Sequence, residues 1–203
     1  TRDKVKDYNN LFLKVKYLYA KIDYQQEVFQ QAKLDFEEYA RKFCEENGIE
    51  IEIPEMNSET TDVDIRRDRV AFSIEGVEAE SAHIKKLFRK IAIMTHPDKL
   101  TKLDDYERER KTELFLKARE AAEAGKWFAL VETANALDIQ TPKPDEEQIG
   151  LLNSESEIID KDIENIEASY AWIMYNLETD EQRKLLMTTY LKVLGVHFGK
   201  DTD

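Results

Sequence analysis

Between residues 85 and 99 the chain sets Lys85, Lys86, Arg89 and Lys90 directly ahead of His96, Pro97, Asp98 and Lys99. These types at this spacing suit recognition of a partner better than bond making. At about 100° per residue, Ile84, Leu87, Phe88, Ile91 and Thr95 fall within an arc of about 100°, and the four cations occupy another of about 140°. One face packs and the other carries charge. A cationic row on an acidic chain makes a local field that steers an acidic partner surface, although a charge run taken alone describes a solvated helix face. Proline cannot continue a helical ladder and disfavours helix in the residue before it, so the tripeptide belongs at a helix end.

Other chemistry lacks its parts. The chain has no glycine-rich phosphate loop, no His-Glu-x-x-His helix and no nucleophile elbow, so neither an ATPase nor a hydrolase is indicated and no residue is assigned as catalytic. His83 and His197 have no ligand partners at metal-binding spacing and read as surface or packing residues, so no metal site and no cofactor is expected. Cys44, the single cysteine, permits no internal disulfide and reads as a buried small hydrophobe. Trp127, Phe128, Trp172 and Tyr175 read as packing aromatics within amphipathic helices.

The elements that must position the cationic helix follow from periodicity. Glycine and proline number six and four, so breaks are few and the chain reads as mainly helical. Apolar residues recur at Leu11, Val15, Leu18, Ile22, Phe29, Ala32, Phe36, Tyr39 and Phe43, with Gln25 as one polar interruption, giving a long heptad-patterned helix over residues 1–47. Such a stripe must be covered, either by the C-terminal helices of the same molecule or by a second copy in a coiled coil; its aromatic content favours the first. Residues 48–77 read as one short strand at "IEIEIP" followed by a linker from Met56 to Val77. Residues 78–141 form a helical core whose second helix starts near Asp104 and ends at Gly125, with a shorter amphipathic helix behind it. Residues 142–203 continue a proline-marked linker from "DIQTPKPDEE" into a C-terminal helical hairpin, with capping boxes at Ser154 with Glu157 and Thr179 with Gln182.

Forty-three acids against thirty bases give a net charge of −13, which repels a nucleic-acid backbone, so nucleic acid is not the expected partner. Charged residues make up 36% and no apolar run is long enough to cross a bilayer, so membrane insertion is not expected. The first residues carry neither an apolar signal core nor a cleavage site, and the expected compartment is the cytoplasm.

The segment "IKKLFRKIAIMTHPDK" resembles helix II and the following loop of the J-domain, the DnaJ-like co-chaperone module. Ile84, Lys85, Lys86, Arg89, Lys90, Ala92 and His96 to Lys99 stand as in a typical member, and Phe88 replaces the usual tyrosine. Phe115, Ala118 and Ala121 resemble the core pattern of helix III. The resemblance covers about a third of the chain and implies an antiparallel helix pair joined by the His-Pro-Asp loop. It further implies a DnaK-type chaperone as partner, docked through Lys85, Lys86, Arg89, Lys90, His96, Pro97, Asp98 and Lys99, with ATP hydrolysis taking place in that partner. Asp98 would then accept charge-assisted hydrogen bonds from a partner arginine, with Pro97 and His96 stiffening the loop. The flanking helices would address a client or assembly.

The departures are specific. "RVAFSIEGVEAES" lacks the usual opening of helix I, so either residues 69–77 or the long N-terminal helix is expected to cover the core face of the pair. Met94 and Thr95 stand where lysine and tyrosine are usual. The extension after helix III is similar to divergent members, including those encoded by large viruses and bacteriophages. The competing reading is a structural or assembly protein, of viral or other origin, that keeps this core as a scaffold or interaction module without chaperone stimulation.

Overall fold

The structure, a computed structural model, describes residues 2–53, 81–95, 100 and 103–198. Among them are seven α-helices and no strand: α1 (Arg2–Glu46), α2 (Ala82–Thr95), α3 (Asp105–Glu123), α4 (Trp127–Ala136), α5 (Glu146–Glu167), α6 (Tyr170–Tyr175) and α7 (Asp180–Val193). The fold is mainly α. The short strand expected at residues 49–53 does not form. Its alternation survives, with Ile49, Ile51 and Ile53 half-buried and Glu50 and Glu52 exposed, but a lone extended segment without a pairing neighbour is not a strand. The linker expected from Met56 to Val77 lies outside the described residues.

The chain forms two compact units, residues 1–20 with 66–160 and residues 21–65 with 161–203, so that α1 and α5 each contribute to both. In the first unit α2, α3 and α4 pack against one another. The α2 face is the one the wheel assigns: Ile84, Leu87, Ile91 and Thr95 are buried. Phe88 is half-buried and meets Phe115 of α3 with ring centroids 6.2 Å apart. Ala118 and Ala121 are buried beneath, where small side chains permit close helix approach. Burying each large aliphatic on this face contributes about 1.5–3 kcal/mol. The third side is closed by α4, whose Trp127 is fully buried and donates its Nε1 hydrogen to Tyr8 Oη of α1 at 3.0 Å. Phe12 of α1 meets Phe128 at a tilt, with ring centroids 4.7 Å apart, and Tyr19 stacks on the same ring at 5.3 Å. The cover on this side of the pair is thus α4, with α1 packed against α4; residues 69–77, the other expected cover, lie outside the described residues.

The N-terminus of α4 has an unusual cap. Lys126 precedes the helix and supplies no side-chain hydrogen bond. Glu155 of α5 supplies it instead: Phe128 N donates to Glu155 Oε2 at 2.9 Å, while Tyr19 Oη donates to Oε1 at 2.6 Å. A carboxylate at a helix N-terminus satisfies orphan N–H groups and meets the positive end of the helix dipole. Burial nevertheless pushes the Glu155 carboxyl above its ordinary value, against the lowering effect of the bonds from Tyr19 and Phe128.

In the second unit Phe36 of α1 meets Tyr190 of α7 edge to face at 5.0 Å, and Tyr170 of α6 meets the same ring at 5.0 Å. Tyr39 donates to Asp180, and Gln25 donates to Glu167 Oε1 at 2.7 Å. The heptad stripe of α1 is thus covered within one chain. Its C-terminal register departs from the expectation: Ala40 and Cys44 are buried, whereas Tyr39 and Phe43 are half-buried. A straight helix turns every 3.6 residues and drifts off a 3.5-residue repeat, so over the roughly ten turns from Tyr8 to Cys44 the buried line moves on by one position. Cys44 is buried as expected, and desolvation raises its thiol pKa.

The tail also differs. α5 starts at Glu146, so Ser154 lies inside it and caps nothing; the helix instead breaks after Glu167 and restarts with Ser169, whose Oγ accepts from Trp172 N. The restart shifts the buried line to Ala171 and Met174, leaving Tyr175 exposed and Trp172 half-buried, against the expectation that both are core. The capping box of Thr179 and Gln182 is present at the start of α7.

α3 starts as expected, with Asp104 as its N-cap, and closes at Gly125 (φ 64°), with Lys126 N bonding to Ala121 O and Gly125 N to Ala122 O. The same pair of bonds closes α4 over Asp138, a non-glycine residue at φ 55°. Asp138→Gly is expected to raise unfolding free energy by about 0.5–1 kcal/mol by relieving the left-handed strain, read as a shifted denaturant midpoint at unchanged slope.

Glu155 generates a pH signature. With its folded pKa raised, its contribution to stability is fully present below the ordinary glutamate range and is lost as pH rises through the raised value. Relative to Glu155→Gln, the wild type should therefore lose stability as pH rises from the ordinary glutamate range through neutrality. Paired denaturation curves across that range check it, and parallel curves would refute it. Glu155→Ala should cost about 2–4 kcal/mol, by stranding Phe128 N–H and Tyr19 O–H.

Candidate docking surface

α2 is anchored at its N-terminus. Ser81 caps it, with Oγ accepting from Ile84 N at 3.3 Å, and the same hydroxyl donates to Glu147 Oε1 of α5 at 2.9 Å. His83 in the first turn places Nε2 at 2.7 Å from Asp145 Oδ2 and 3.5 Å from Glu147 Oε2. Asp145 is itself the cap of α5, accepting from Gln148 N at 3.0 Å. Each helix N-terminus is therefore tied through its cap to the first turn of the other. The Nδ1 of His83 lies 3.4 Å from Gln148 Nε2, and the ring lies edge-on to Trp127. The expectation that His83 is a surface or packing residue holds, with close contacts to Asp145 and Glu147 that spacing along the chain could not reveal because these partners lie more than sixty positions away.

Further along, Lys85, Lys86, Arg89 and Lys90 are all exposed. Lys90 Nζ donates to Gln140 O at 3.2 Å, tying the helix to the segment after α4, and Arg110 of α3 donates to Ala136 O at 3.1 Å beside it. Among the described residues neither Lys86 nor Arg89 has an acidic partner. Ile93 and Met94 end the exposed face, 53% and 44% accessible, whereas Thr95 is buried and bonds its hydroxyl to Ile91 O at 2.9 Å. Thr95 thus satisfies its hydroxyl within the helix. His96, Pro97, Asp98 and Lys99 lie outside the described residues, so the structure brings together four of the eight expected docking residues.

Elsewhere, the end of α1 and residues 49–53 line a cleft of about 380 Å³ in the second unit, with Glu37, Arg41, Glu45 and Glu50 as its charged walls. Among the described residues no group of His, Cys, Asp and Glu side chains is placed to hold a metal ion, and no helix is long and apolar enough to cross a membrane. Comparison with models of known protein families, with curated proteins and with solved structures finds no match.

The capping arrangement predicts that Ser81→Ala costs about 0.5–2 kcal/mol, because α2 loses its side-chain cap. Hydrogen exchange should show faster opening confined to the first turn of α2 and the start of α5, and uniform loss across the unit would contradict a local role.

Proposed function

We propose that the chain is a J-domain co-chaperone that docks on a DnaK-type chaperone in the cytoplasm and stimulates its ATP hydrolysis, its flanking helices addressing a client or assembly. The observation that carries this reading is the division of α2: its apolar face is buried, while Lys85, Lys86, Arg89 and Lys90 stand in solvent on an acidic chain. The reading is further supported by the His-Pro-Asp sequence that follows and by the contact of Phe88 with Phe115. Such a surface orients an acidic partner as well as attracting it.

A second reading, a structural or assembly protein that keeps this core as scaffold, is favoured by a different observation. α1 carries Leu13 and Tyr17 exposed at 64% and 65%, on a row separate from its buried stripe. Exposed apolar rows of this kind serve contacts with other chains.

Single-turnover ATP hydrolysis by a DnaK-type chaperone separates the two. Asp98→Asn keeps shape and removes charge, and should abolish stimulation with an unchanged melt; a lost charge-assisted bond costs about 1.5–3 kcal/mol of productive interaction. Lys86→Glu with Arg89→Glu should weaken docking, and the wild-type interaction should weaken as salt rises. Equal stimulation by wild type and Asp98→Asn, or no stimulation of any of several chaperones, selects the scaffold reading.

A further inference from the structure

We propose that residues 49–53 are an unpaired β-edge that takes up, as an added strand, an extended segment of another protein in which apolar and basic side chains alternate. Ile49, Ile51 and Ile53 are half-buried, and Glu50 and Glu52 between them are exposed. That is the period of a strand, written with a β-branched residue that favours extended backbone. Gly48 (φ 63°) turns the chain at the end of α1, and Ile49 N bonds to Cys44 O at 2.9 Å, which fixes where the segment starts. Past that bond, no backbone hydrogen bond among the described residues holds Glu50, Ile51, Glu52 or Ile53. A row of unpaired N–H and C=O groups in an extended segment is a template for another strand.

The cleft of about 380 Å³ in the second unit lies along this edge. From α1 it is lined by Glu37, Arg41 and Glu45, four apart and therefore in one row along the helix, and from the segment by Glu50 and the three isoleucines. The helical row is about 12 Å long and the five extended residues span about 13 Å, so the two sides match in length. Charge selects the occupant. The lining sets three carboxylates against the one guanidinium of Arg41, and Glu52 adds a fourth at the edge. A strand laid against this one places its own residues opposite Glu50 and Glu52, where lysine or arginine is favourable and a carboxylate unfavourable. A second copy of the same segment does not fit. Pairing that keeps its isoleucines on the isoleucine face sets glutamate opposite glutamate, and a one-residue slip turns its glutamates onto the apolar face. The proposal stands apart from the reading of α2, whose residues belong to the other unit.

Three labelled nine-residue peptides test this with the full chain: valine alternating with lysine, valine alternating with glutamate, and the lysine peptide methylated at every backbone nitrogen. Fluorescence anisotropy should show the lysine peptide binding about tenfold tighter than its methylated form, which keeps the charge and loses the strand donors. In Glu50→Lys with Glu52→Lys the preference should invert, so that the glutamate peptide binds more tightly than the lysine peptide. Both positions are exposed and outside any helix, so the melt of this variant should match wild type. Hydrogen exchange with the lysine peptide bound should show new protection at the amides of residues 50–53. Equal binding of the methylated and unmethylated peptides overturns the proposal, because charge alone then accounts for the contact. So does a lysine preference that survives the charge reversal, or protection confined to other residues. Sedimentation of the chain alone as a dimer with the amides of residues 50–53 already protected overturns it too, since a second copy then fills the edge.

Discussion

A buried carboxylate at the start of α4 is the constraint on which the first unit depends. α4 closes the third side of the α2 and α3 pair, yet nothing adjacent to it in sequence caps it. Glu155 reaches in from α5, twenty-seven positions further on, and ties α4 to α5 and, through Tyr19, to α1. One side chain joins three helices, and desolvating it is costly. The cost is offset because the same oxygens satisfy a helix-end N–H and a phenol, groups that would otherwise be stranded beside the buried Trp127.

The cationic helix is held by a comparable economy. Its first turn is fixed by Ser81 and His83 against the acids that open α5, its middle by packing on α3, and Lys90 by a backbone carbonyl after α4. Its outward face is therefore presented from a supported element. Preorganisation of this kind lowers the entropy lost when a partner binds.

Much of this was legible because it is local. The two faces of α2, the stops at Gly48 and Gly125, the Asp104 start and the Thr179 capping box all depend on residues within one or two turns. What escaped is what distant residues decide. Glu155 sits in a polar run where nothing marks a cap for another helix. Ser154 has capping-box spacing but lies within a helix that already began at Glu146. Ile173 stands two helical turns after Ile166 on the buried stripe of α5, yet the restart at Ser169 turns it out to solvent. At residues 49–53 the period was right and the pairing absent. On the docking face, spacing separated cations from core residues, but the solvent exposure of Ile93 and Met94 needed coordinates.

The partners of α1 have a consequence for how the chain is made. Tyr8, Lys14 and Gln25 meet Trp127, Asp160 and Glu167, residues 119, 146 and 142 positions later. At ribosomal speeds of about 5–20 residues per second, the first helix leaves the tunnel roughly 6–30 s before the residues that cover it have been added. During that interval a nascent chain holds out Val15, Leu18, Ile22, Phe29 and Phe36 in an amphipathic helix with nothing to bury them. Gln25 then weighs against mispairing: in a neighbouring apolar seam its amide N–H would go unanswered, whereas Glu167 accepts from it once the tail is synthesised.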